Sequence, residues 1–399
     1  MSSGADLRWD PYDVEIDTAP YDVWRRMRDE APVYYNEALD FYALSRYADV
    51  SEASRDIATF SSAYGTVLEQ MSGARMPDGG MIINMDPPEH SVLRALVSRA
   101  FTPRRIDALE EPIRAICAEY LDAQVGNDRF DYLADFGTHL PSRVISQLLG
   151  VPLSEREHVL DLINTIFTID AEHGMNNPTA LGAMGGLYGW VANAVGERRG
   201  RDGDDMLSVL ANIERTDDGV ERKLSKQEAA AFGILLVGAG TETVARLLGW
   251  TAVVLAAHPD QRDELAADHS LIPNAVEELL RYEAPSPVQG RLVLRDVELH
   301  GQVVPSGSKV ILITGSAGRD EREYPGADRF DIHRRFEQHV TFGVGPHYCL
   351  GAALARMEGR IGIEETLKRF PRWEVDHHAV VRLHTSTVRG HKNVPITVR

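Results

Sequence analysis

The sequence predicts a mainly α-helical protein with small β-sheets, an α+β class, in which residues 1–399 form a single domain. Three observations support this prediction. Helical periodicity dominates the chain, strand-like runs are few and short, and no repeat, low-complexity segment or linker divides the sequence. The chain has 399 residues, 43% of them hydrophobic, which is enough to bury a sizeable core.

The first elements are recognised by apolar residues that recur three or four positions apart. This spacing predicts helices in four segments: 21–30, 104–125, 140–151 and 274–283. Strand-like patterns occur in FYALSR near the start and in GQVVPSGSKVILIT, where Pro305, Ser306 and Gly307 turn between two β-branched runs. The strands are too short for a large sheet.

One predicted helix is much longer than the others. Ser225 and Glu228 form a capping-box pattern and Pro259 ends the helix, so it runs from about Ser225 to His258, roughly 50 Å at 1.5 Å per residue. Glu242 and Arg246 interrupt its apolar character too early for a membrane span. We therefore expect a buried core helix.

Charge and cysteine content exclude several functions. The formal net charge of −18 disfavours binding to nucleic acid or to an anionic membrane. The first 20 residues carry acids and prolines rather than an apolar run, which predicts neither a signal peptide nor an anchor. Only Cys117 and Cys349 are present, which excludes a disulfide framework and favours a reducing, cytoplasmic location.

Cys349 lies in the stretch FGVGPHYCLG, residues 342–351. Its three glycines would let the backbone lie flat against a large planar ligand. A strong helical pattern follows the cysteine, and the N–H groups and dipole of a helix N-terminus favour a thiolate. A single thiolate suits one axial bond to haem iron. The alternative is a buried, inert cysteine in a glycine-rich turn.

The spacing F-x-x-G-x-x-x-C-x-G, with His347 two residues before Cys349, resembles the haem-binding loop of the cytochrome P450 family. The segment AGTET, from Ala239 to Thr243, resembles the acid–alcohol pair of that family. The resemblance runs from RRMRDEAPVYY to NVPITVR and is greatest to the soluble bacterial branch. It implies a cytochrome P450 fold that binds heme b (iron protoporphyrin IX) between the long central helix and the Cys loop with its following helix.

The resemblance also implies roles for the acid and the alcohol. Thr243 would hold the oxygen being reduced by a hydrogen bond, and Glu242 would relay protons from solvent. Gly238 and Gly240 cost about 1 kcal/mol each relative to alanine, so this turn of the helix is weakened. The alternative is an ordinary helix interior in which Thr243 bonds to the Ala239 carbonyl and Glu242 pairs with Arg246. Val244 replaces the second Thr or Ser of many members.

Further matches concern the cofactor and its support. Glu278 and Arg281 form an E-x-x-R pair, and the resemblance implies Arg329 as its third member. Basic residues would bind the two haem propionates by charge-assisted hydrogen bonds. The predicted metal ligand is Cys349, and the cofactor-binding set is His90, Arg94, Ala239, Gly240, Arg291, Phe342, Gly343, His347, Cys349 and Gly351.

The implied activity is that of a haem-thiolate monooxygenase, which inserts one atom of dioxygen into a hydrophobic small molecule by hydroxylation or epoxidation. The chain has no G-x-G-x-x-G fingerprint, so electrons would come from a ferredoxin or flavodoxin with its reductase. Five arginines are predicted to form the docking patch, with scattered solvated arginines as the alternative: Arg104, Arg105, Arg114, Arg356 and Arg360.

Two segments are predicted to contact the substrate. One contains Met71, Met76, Met81 and Met85, which could line an adaptable pocket or pack the loop onto the core. The other, residues 167–189, is glycine-rich and has the composition of a hinged lid. Both suggest an apolar guest such as a steroid, terpenoid, fatty acid or polyketide.

Two rival functions remain. A noncatalytic haem-thiolate sensor or ligand-binding protein would keep the cysteine loop without needing the acid–alcohol pair. A peroxygenase typically has an arginine and a proline where this chain has Glu242 and Thr243. The presence of both residues argues against each rival.

Overall fold

The computed structural model describes residues 7–76, 81–98, 101–166, 177–203, 205–217, 220–385 and 387–399. Within these residues the chain is mainly helical. The α-helices are α1 (Val14–Thr18), α2 (Tyr21–Glu30), α3 (Tyr47–Arg55), α4 (Glu89–Ser98), α5 (Pro103–Asp107), α6 (Glu110–Asp122), α7 (His139–Leu149), α8 (Arg156–Ile166), α9 (Pro178–Arg198), α10 (Met206–Asn212), α11 (Lys226–Ala257), α12 (Pro259–Ala267), α13 (Ile272–Tyr282), α14 (Thr314–Ala317) and α15 (Ala352–Arg369).

The strands are short and form small sheets. They are β1 (Val33–Asn36), β2 (Phe41–Leu44), β3 (Phe60–Ser61), β4 (Arg129–Asp131), β5 (Glu214–Asp217), β6 (Val220–Lys223), β7 (Gln289–Val293), β8 (Val297–Leu299), β9 (Gln302–Val304), β10 (Lys309–Leu312), β11 (Trp373–Val375), β12 (Val381–His384), β13 (Arg389–Asn393) and β14 (Pro395–Val398).

The largest sheet has the order β1-β2-β10-β7-β3, in which β10 is parallel to β2 and the other pairs are antiparallel. A second sheet has the order β11-β14-β4, and three two-stranded ribbons complete the set: β12-β13, β5-β6 and β8-β9. The predicted turn at Pro305–Gly307 therefore joins two different sheets, because β9 pairs with β8 whereas β10 joins the large sheet. The α+β prediction is confirmed.

Helix α11 is the central element of the fold. It packs against α7, α9, α15 and β13, and most of its side chains are buried. Ser225 caps it as predicted, since its side chain accepts from the Glu228 N–H while the Glu228 carboxylate accepts from the Ser225 N–H. By length and composition α11 could cross a membrane, but 67% of its most apolar window is buried inside the protein, as expected for a core helix.

Glycines let α15 approach α11 closely. A Cβ atom at Gly362 would lie 2.8 Å from Leu248 Cδ2, and one at Gly359 would lie 3.0 Å from Leu247 Cδ2. Real side chains do not tolerate the shorter of these contacts without a shift. The helix that follows Cys349 is thereby packed closely against the central helix.

Two sequence predictions need correction at this level. The segment 104–125 forms two helices, α5 and α6, rather than one. Part of the proposed hinged lid, residues 167–176, lies outside the described residues, and Pro178 to Gly189 form the first half of the 21-residue helix α9. Ala180, Ala183 and Leu187 are buried there, so this part of the segment is a packed helix.

Candidate functional site

The cysteine loop, residues 342–351, is closed by its own backbone. The Cys349 N–H donates to the Phe342 carbonyl at 2.8 Å, so the loop returns to its starting point before α15 begins. Gly343 and Gly345 have φ angles of 69° and 73°, which other residues adopt only with strain. At Gly345 a Cβ atom would also lie 3.2 Å from the Arg55 Cα of α3. Glycine is therefore required at this position for two separate reasons.

The Cys349 sulfur lies at the N-terminus of α15. Gly351 precedes the first residue of this helix. Burial raises the pKa of the Cys349 thiol, while the nearby Gly351 N–H and the charges of Arg94 and Arg356 oppose the rise. The Cys349 residue is nonetheless exposed. A bound metal cation would deprotonate such a thiol outright.

Four basic side chains gather beside the loop: His90, Arg94, Arg291 and His347. The rings of His90 and His347 are 4.2 Å apart between centroids. Both ring nitrogens of His90 and Nε2 of His347 are buried without a hydrogen-bond partner. Arg291 is buried and donates to the Gly290 carbonyl at 2.6 Å. Among the described residues, three buried ring nitrogens of the cluster thus have no hydrogen-bond partner.

Burial and mutual repulsion lower the pKa values in this cluster. The pKa of His347 falls to about 3 through burial, assisted by the charges of Arg291, His90 and Arg94. Burial lowers the pKa of Arg291 to about 10, against a weak opposing effect of Asp86. The Asp86 carboxylate is itself engaged by the Ser61 hydroxyl and the Ser62 N–H. Anionic groups of a ligand would relieve this strain, and the two propionates of haem fit the cluster in charge and number.

Helix α11 presents the acid and the alcohol. The Thr243 hydroxyl donates to the Ala239 carbonyl at 2.8 Å, and Arg246 Nη2 lies 3.3 Å from Glu242 Oε2. Burial raises the pKa of Glu242, and the positive charge of Arg246 opposes this rise. The helix is continuous through this turn, and Gly240 faces α7, where a Cβ atom would lie 3.1 Å from Ile145 Cδ1. Both contacts of the ordinary helix interior, Thr243 with Ala239 and Glu242 with Arg246, are therefore present.

Comparison with known proteins identifies the family. The family model described as Cytochrome P450 matches residues 196–393. Cytochrome P450 123 of Mycobacterium tuberculosis is 39% identical over 398 residues, which cover 99% of this chain and 98% of the relative. The chain belongs to the cytochrome P450 family. Members bind haem b and act as monooxygenases, so the predicted class of enzyme and its cofactor are confirmed.

Solved P450 structures confirm the fold. The P450 CYP109Q5 from Chondromyces apiculatus superposes with a TM-score of 0.87 and 31% identity, covering 98% of each chain. CYP109E1 from Bacillus megaterium, solved in complex with corticosterone, gives a TM-score of 0.85 and 30% identity over 96% of this chain and 99% of that one. The relatives that resemble this chain most are bacterial proteins, in agreement with the bacterial branch inferred from the motifs.

The E-x-x-R pair of this P450 is fully buried. Arg281 binds Glu278 through two hydrogen bonds of 2.6 and 2.7 Å, and neither side chain is exposed. The third member is Arg334, whose Nε donates to Glu278 Oε1 at 3.1 Å. The prediction of Arg329 is wrong, because its side chain is exposed and pairs with Asp331. Arg329 contributes its carbonyl instead, which accepts from both Arg281 and Arg334.

A set of contacts that link the two halves of the cysteine loop was not predicted from the sequence. Arg356 on α15 lies 4.5 Å from the ring centroid of Phe342 and donates to the Tyr348 hydroxyl at 3.0 Å. Glu277 holds the guanidinium through bonds of 2.6 and 2.9 Å, and the same carboxylate accepts from His339. From the other side, Arg94 donates to the Tyr348 carbonyl. The signal in the sequence is the seven-residue spacing of Phe342 and Arg356 on either side of Cys349.

Three arginines of the predicted docking patch are paired with acids. Arg114 contacts Glu110, Glu364 and Glu365, and Arg360 contacts Glu110 and Glu364. Arg356 is held by Glu277, as described above. Arg104 is exposed on α5, and Arg105 beside it is half-buried. The patch stays a prediction, and acidic neighbours offset much of its positive charge.

The four methionines of the first substrate segment have different surroundings. Met71 is buried among Trp9, Trp24 and Phe41, so it packs the loop onto the core. Met81 and Met85 are half-buried against the cluster that contains Phe232 and Val237 of α11. Met76 is half-buried, and its N–H donates to the Ala63 carbonyl. Met81 and Met85 are therefore better placed than Met71 to contact a substrate beside α11.

Proposed function

We propose that this P450 oxidises a hydrophobic small molecule by hydroxylation or epoxidation. The Cys349 thiolate would bind the haem iron. Residues 1–399 would act as one domain in the cytoplasm. The observation that carries the assignment of Cys349 is the position of its sulfur at the start of α15, where the Gly351 N–H opposes the rise in its pKa. Such a donor stabilises the charged form of the thiol.

The remaining residues would hold the cofactor in one orientation. His90, Arg94, Arg291 and His347 would bind the propionates, because two arginine cations lie there together with buried histidine ring nitrogens that have no hydrogen-bond partner. Phe342, Gly343 and Gly351 would contribute to the cofactor surface from the cysteine loop, and Ala239 would contribute from α11. Gly240, which the sequence also predicts as a cofactor contact, faces Ile145 of α7 instead. Haem, when bound, supplies the reductive cleavage of dioxygen and the transfer of one oxygen atom to substrate.

On α11 we assign Thr243 to hydrogen bonding and Glu242 to proton supply. The Thr243 proton is used by the Ala239 carbonyl, so the hydroxyl oxygen is free to accept a hydrogen bond from a group beside it. Burial raises the pKa of Glu242, which brings its protonation closer to neutral pH, where a proton donor is most useful. The noncatalytic alternative gains no support, because the family consists of monooxygenases.

For the substrate we propose an apolar molecule of steroid-like size. The complex of CYP109E1 with corticosterone supports this class, since that protein shares the fold over nearly the whole chain. Met81 and Met85 offer a deformable apolar surface for such a guest. Electrons would come from a ferredoxin or flavodoxin with its reductase, and Arg104 and Arg105 are the patch residues most available for docking.

The carbon monoxide spectrum of the reduced enzyme tests the cysteine assignment. We expect the red-shifted Soret band of a thiolate-ligated haem, and we expect Cys349→Ser to abolish it because an alcohol is a far weaker ligand. Cys117→Ala is the matched control, since Cys117 is a buried free cysteine away from the loop, and it should keep the band. Retention of the band in Cys349→Ser would contradict the assignment. Titration of the same preparation with corticosterone, followed by the low-to-high spin change, tests the substrate class.

A further inference from the structure

A buried arginine lies one turn after the acid of α11. Arg246 is 4% exposed and contacts Glu242 through Nη2. Its Nη1 donates to the carbonyl of His391 on β13, and its Nε is buried without a hydrogen-bond partner. The guanidinium thus joins the central helix to a strand near the end of the chain and has one donor to spare.

We propose that Arg246 is a positioning residue that holds the Glu242 carboxylate beside Thr243 and controls when this acid takes up and releases its proton. The inference rests on the proposed function of Glu242 as the proton supplier. It adds the partner that gives Glu242 two states, one paired with Arg246 and one unpaired.

The surroundings of Arg246 fix its side chain. A Cβ atom at Gly390 of β13 would lie 2.8 Å from Arg246 Cδ, so the strand backbone lies directly against the arginine stem. The Trp250 indole N–H donates to the Arg389 carbonyl at 3.1 Å and ties the same strand to α11 one turn further on. Among the residues that the structure describes, Glu242 has no comparable second contact, and its side chain is 16% exposed against 5% for Arg246. When the pair opens, Glu242 is the member that moves.

Electrostatics give the two states different proton affinities. Among the described residues, the charge that acts on the Glu242 carboxyl is that of Arg246, which lowers its pKa against the effect of burial. The charged and titratable groups on the other side of Arg246 act on His391 and lower its pKa: Arg382, Arg389 and His377. When unpaired, Glu242 therefore binds a proton from solvent more tightly. On its return to Arg246 the Glu242 carboxyl group binds its proton less tightly, so it releases that proton and is left as a carboxylate paired with the guanidinium.

The direct test is an infrared titration of the Glu242 carboxyl in the holoenzyme, with the spectrum of Glu242→Gln subtracted. In Arg246→Met we expect the midpoint to rise by about 1–3 pH units, the range for loss of a close opposite charge. Arg246→Lys keeps the positive charge but changes its geometry, so its midpoint should lie between those of the wild type and Arg246→Met. The alkaline limb of the pH profile of product formation should move in the same direction.

Arg262→Met is the matched control. Arg262 is also a buried arginine, its Nη1 donates to the Trp373 carbonyl at 2.7 Å, and its Nε likewise has no partner. Its loss should alter stability without moving the Glu242 midpoint. Gly390→Ala is a second test variant that keeps both Glu242 and Arg246. Its added Cβ atom would displace the Arg246 side chain and so weaken the ion pair. It should raise the midpoint less than Arg246→Met.

An unchanged midpoint in Arg246→Met overturns the inference, and so does an equal shift in Arg262→Met. If Arg246→Met does not fold, the midpoints of Gly390→Ala and Arg246→Lys decide in the same way. The infrared titration does not depend on turnover. If the Glu242 midpoint shifts in Arg246→Met but the protein lacks the thiolate-type carbon monoxide band, only the proposed function is overturned. If the protein is an active monooxygenase and the midpoint is unchanged, only the role of Arg246 is overturned.

Discussion

At the scale of single residues, the basic cluster beside the cysteine loop determines which cofactor this chain can hold. Arg291 is a buried cation, and three histidine ring nitrogens of the cluster are buried without a hydrogen-bond partner. Leaving a buried polar group unsatisfied costs about 1–3 kcal/mol, more for charged groups. A ligand with carboxylates, as proposed above, would remove part of this cost.

Arg291→Met should accelerate haem loss. The substitution removes a buried cation that would face a propionate, and hydrogen bonds to charged groups contribute about 1.5–3 kcal/mol, which corresponds to roughly 10- to 100-fold. Transfer of haem to apomyoglobin measures the rate. Arg291→Lys should be intermediate, and Arg295→Met, at an exposed arginine of the same segment, should leave the rate unchanged. Equal rates in Arg291→Met and the wild type would show that Arg291 does not bind the cofactor.

Motif spacing predicted the residues that the backbone positions by itself. Cys349 and the glycines around it follow from the loop conformation, which a short segment determines locally. Arg334 could not be predicted in the same way. Arg329 and Arg334 lie five residues apart in one loop, and only the path of the folded backbone directs the second toward Glu278 and the first toward solvent.

At the scale of elements, the contact between α11 and α15 depends on glycines that the sequence pattern did not reveal as contact residues. Helical glycines normally cost stability, so their presence in α15 needs a reason. The short distances from Gly359 and Gly362 to leucines of α11 give that reason. A side chain at either position would push the helix that carries the cysteine loop away from the helix that carries Thr243.

A pair of glycine substitutions separates packing from helix propensity. Gly362→Ala gains about 1 kcal/mol of propensity but overpacks the contact with Leu248, at a typical cost of about 1–3 kcal/mol, so a net loss of about 1 kcal/mol is expected. Gly185→Ala on α9 has no neighbour within 4 Å and should raise the free energy of unfolding by up to about 1 kcal/mol. Urea unfolding of both variants measures the difference. Equal stabilisation would disprove the packing role of Gly362.

Elements with strong end signals were predicted well, and those that depend on distant packing were not. The capping box fixed the start of α11, and α2 spans the residues that its periodicity indicates. The break between α5 and α6 has a local cause, because Pro112 lacks an N–H and suits only the first turn of a helix. By contrast, the glycine-rich start of α9 is helical because its small residues pack against α8 and α11.

At the scale of the whole molecule, buried histidines link stability to pH. Burial and the nearby positive charges lower the pKa of His391 to about 2, far below the ordinary value near 6.5. Folded His391 therefore stays neutral while the unfolded chain takes up a proton below pH 6.5. This contribution to stability is fully present above pH 6.5 and is lost as the pH falls towards 2.

His391→Asn should remove this dependence. As the pH falls from about 6 to about 4, the free energy of unfolding of the wild type should decrease relative to that of the variant by about 1.4 kcal/mol for each pH unit. Chemical denaturation of the two holoenzymes across that range measures the difference. His378→Asn, at an exposed histidine, should give a curve parallel to that of the wild type. A constant difference between wild type and His391→Asn would mean that His391 is not held neutral by the fold.

The two ends of the chain are joined inside the protein, and this affects the order in which a newly made chain can fold. Arg389 on β13 donates to the carbonyls of Asp17 and Thr18, and it shares the Glu283 carboxylate with Tyr21. The sheet that contains β1 and β2 is likewise incomplete until β10 has been synthesised and pairs with β2. During synthesis on a ribosome, the first forty residues emerge long before these partners exist. The N-terminal segment that ends with β2 therefore completes its contacts last. A chain truncated before residue 389 would expose the apolar surface of this segment to chaperones and proteases.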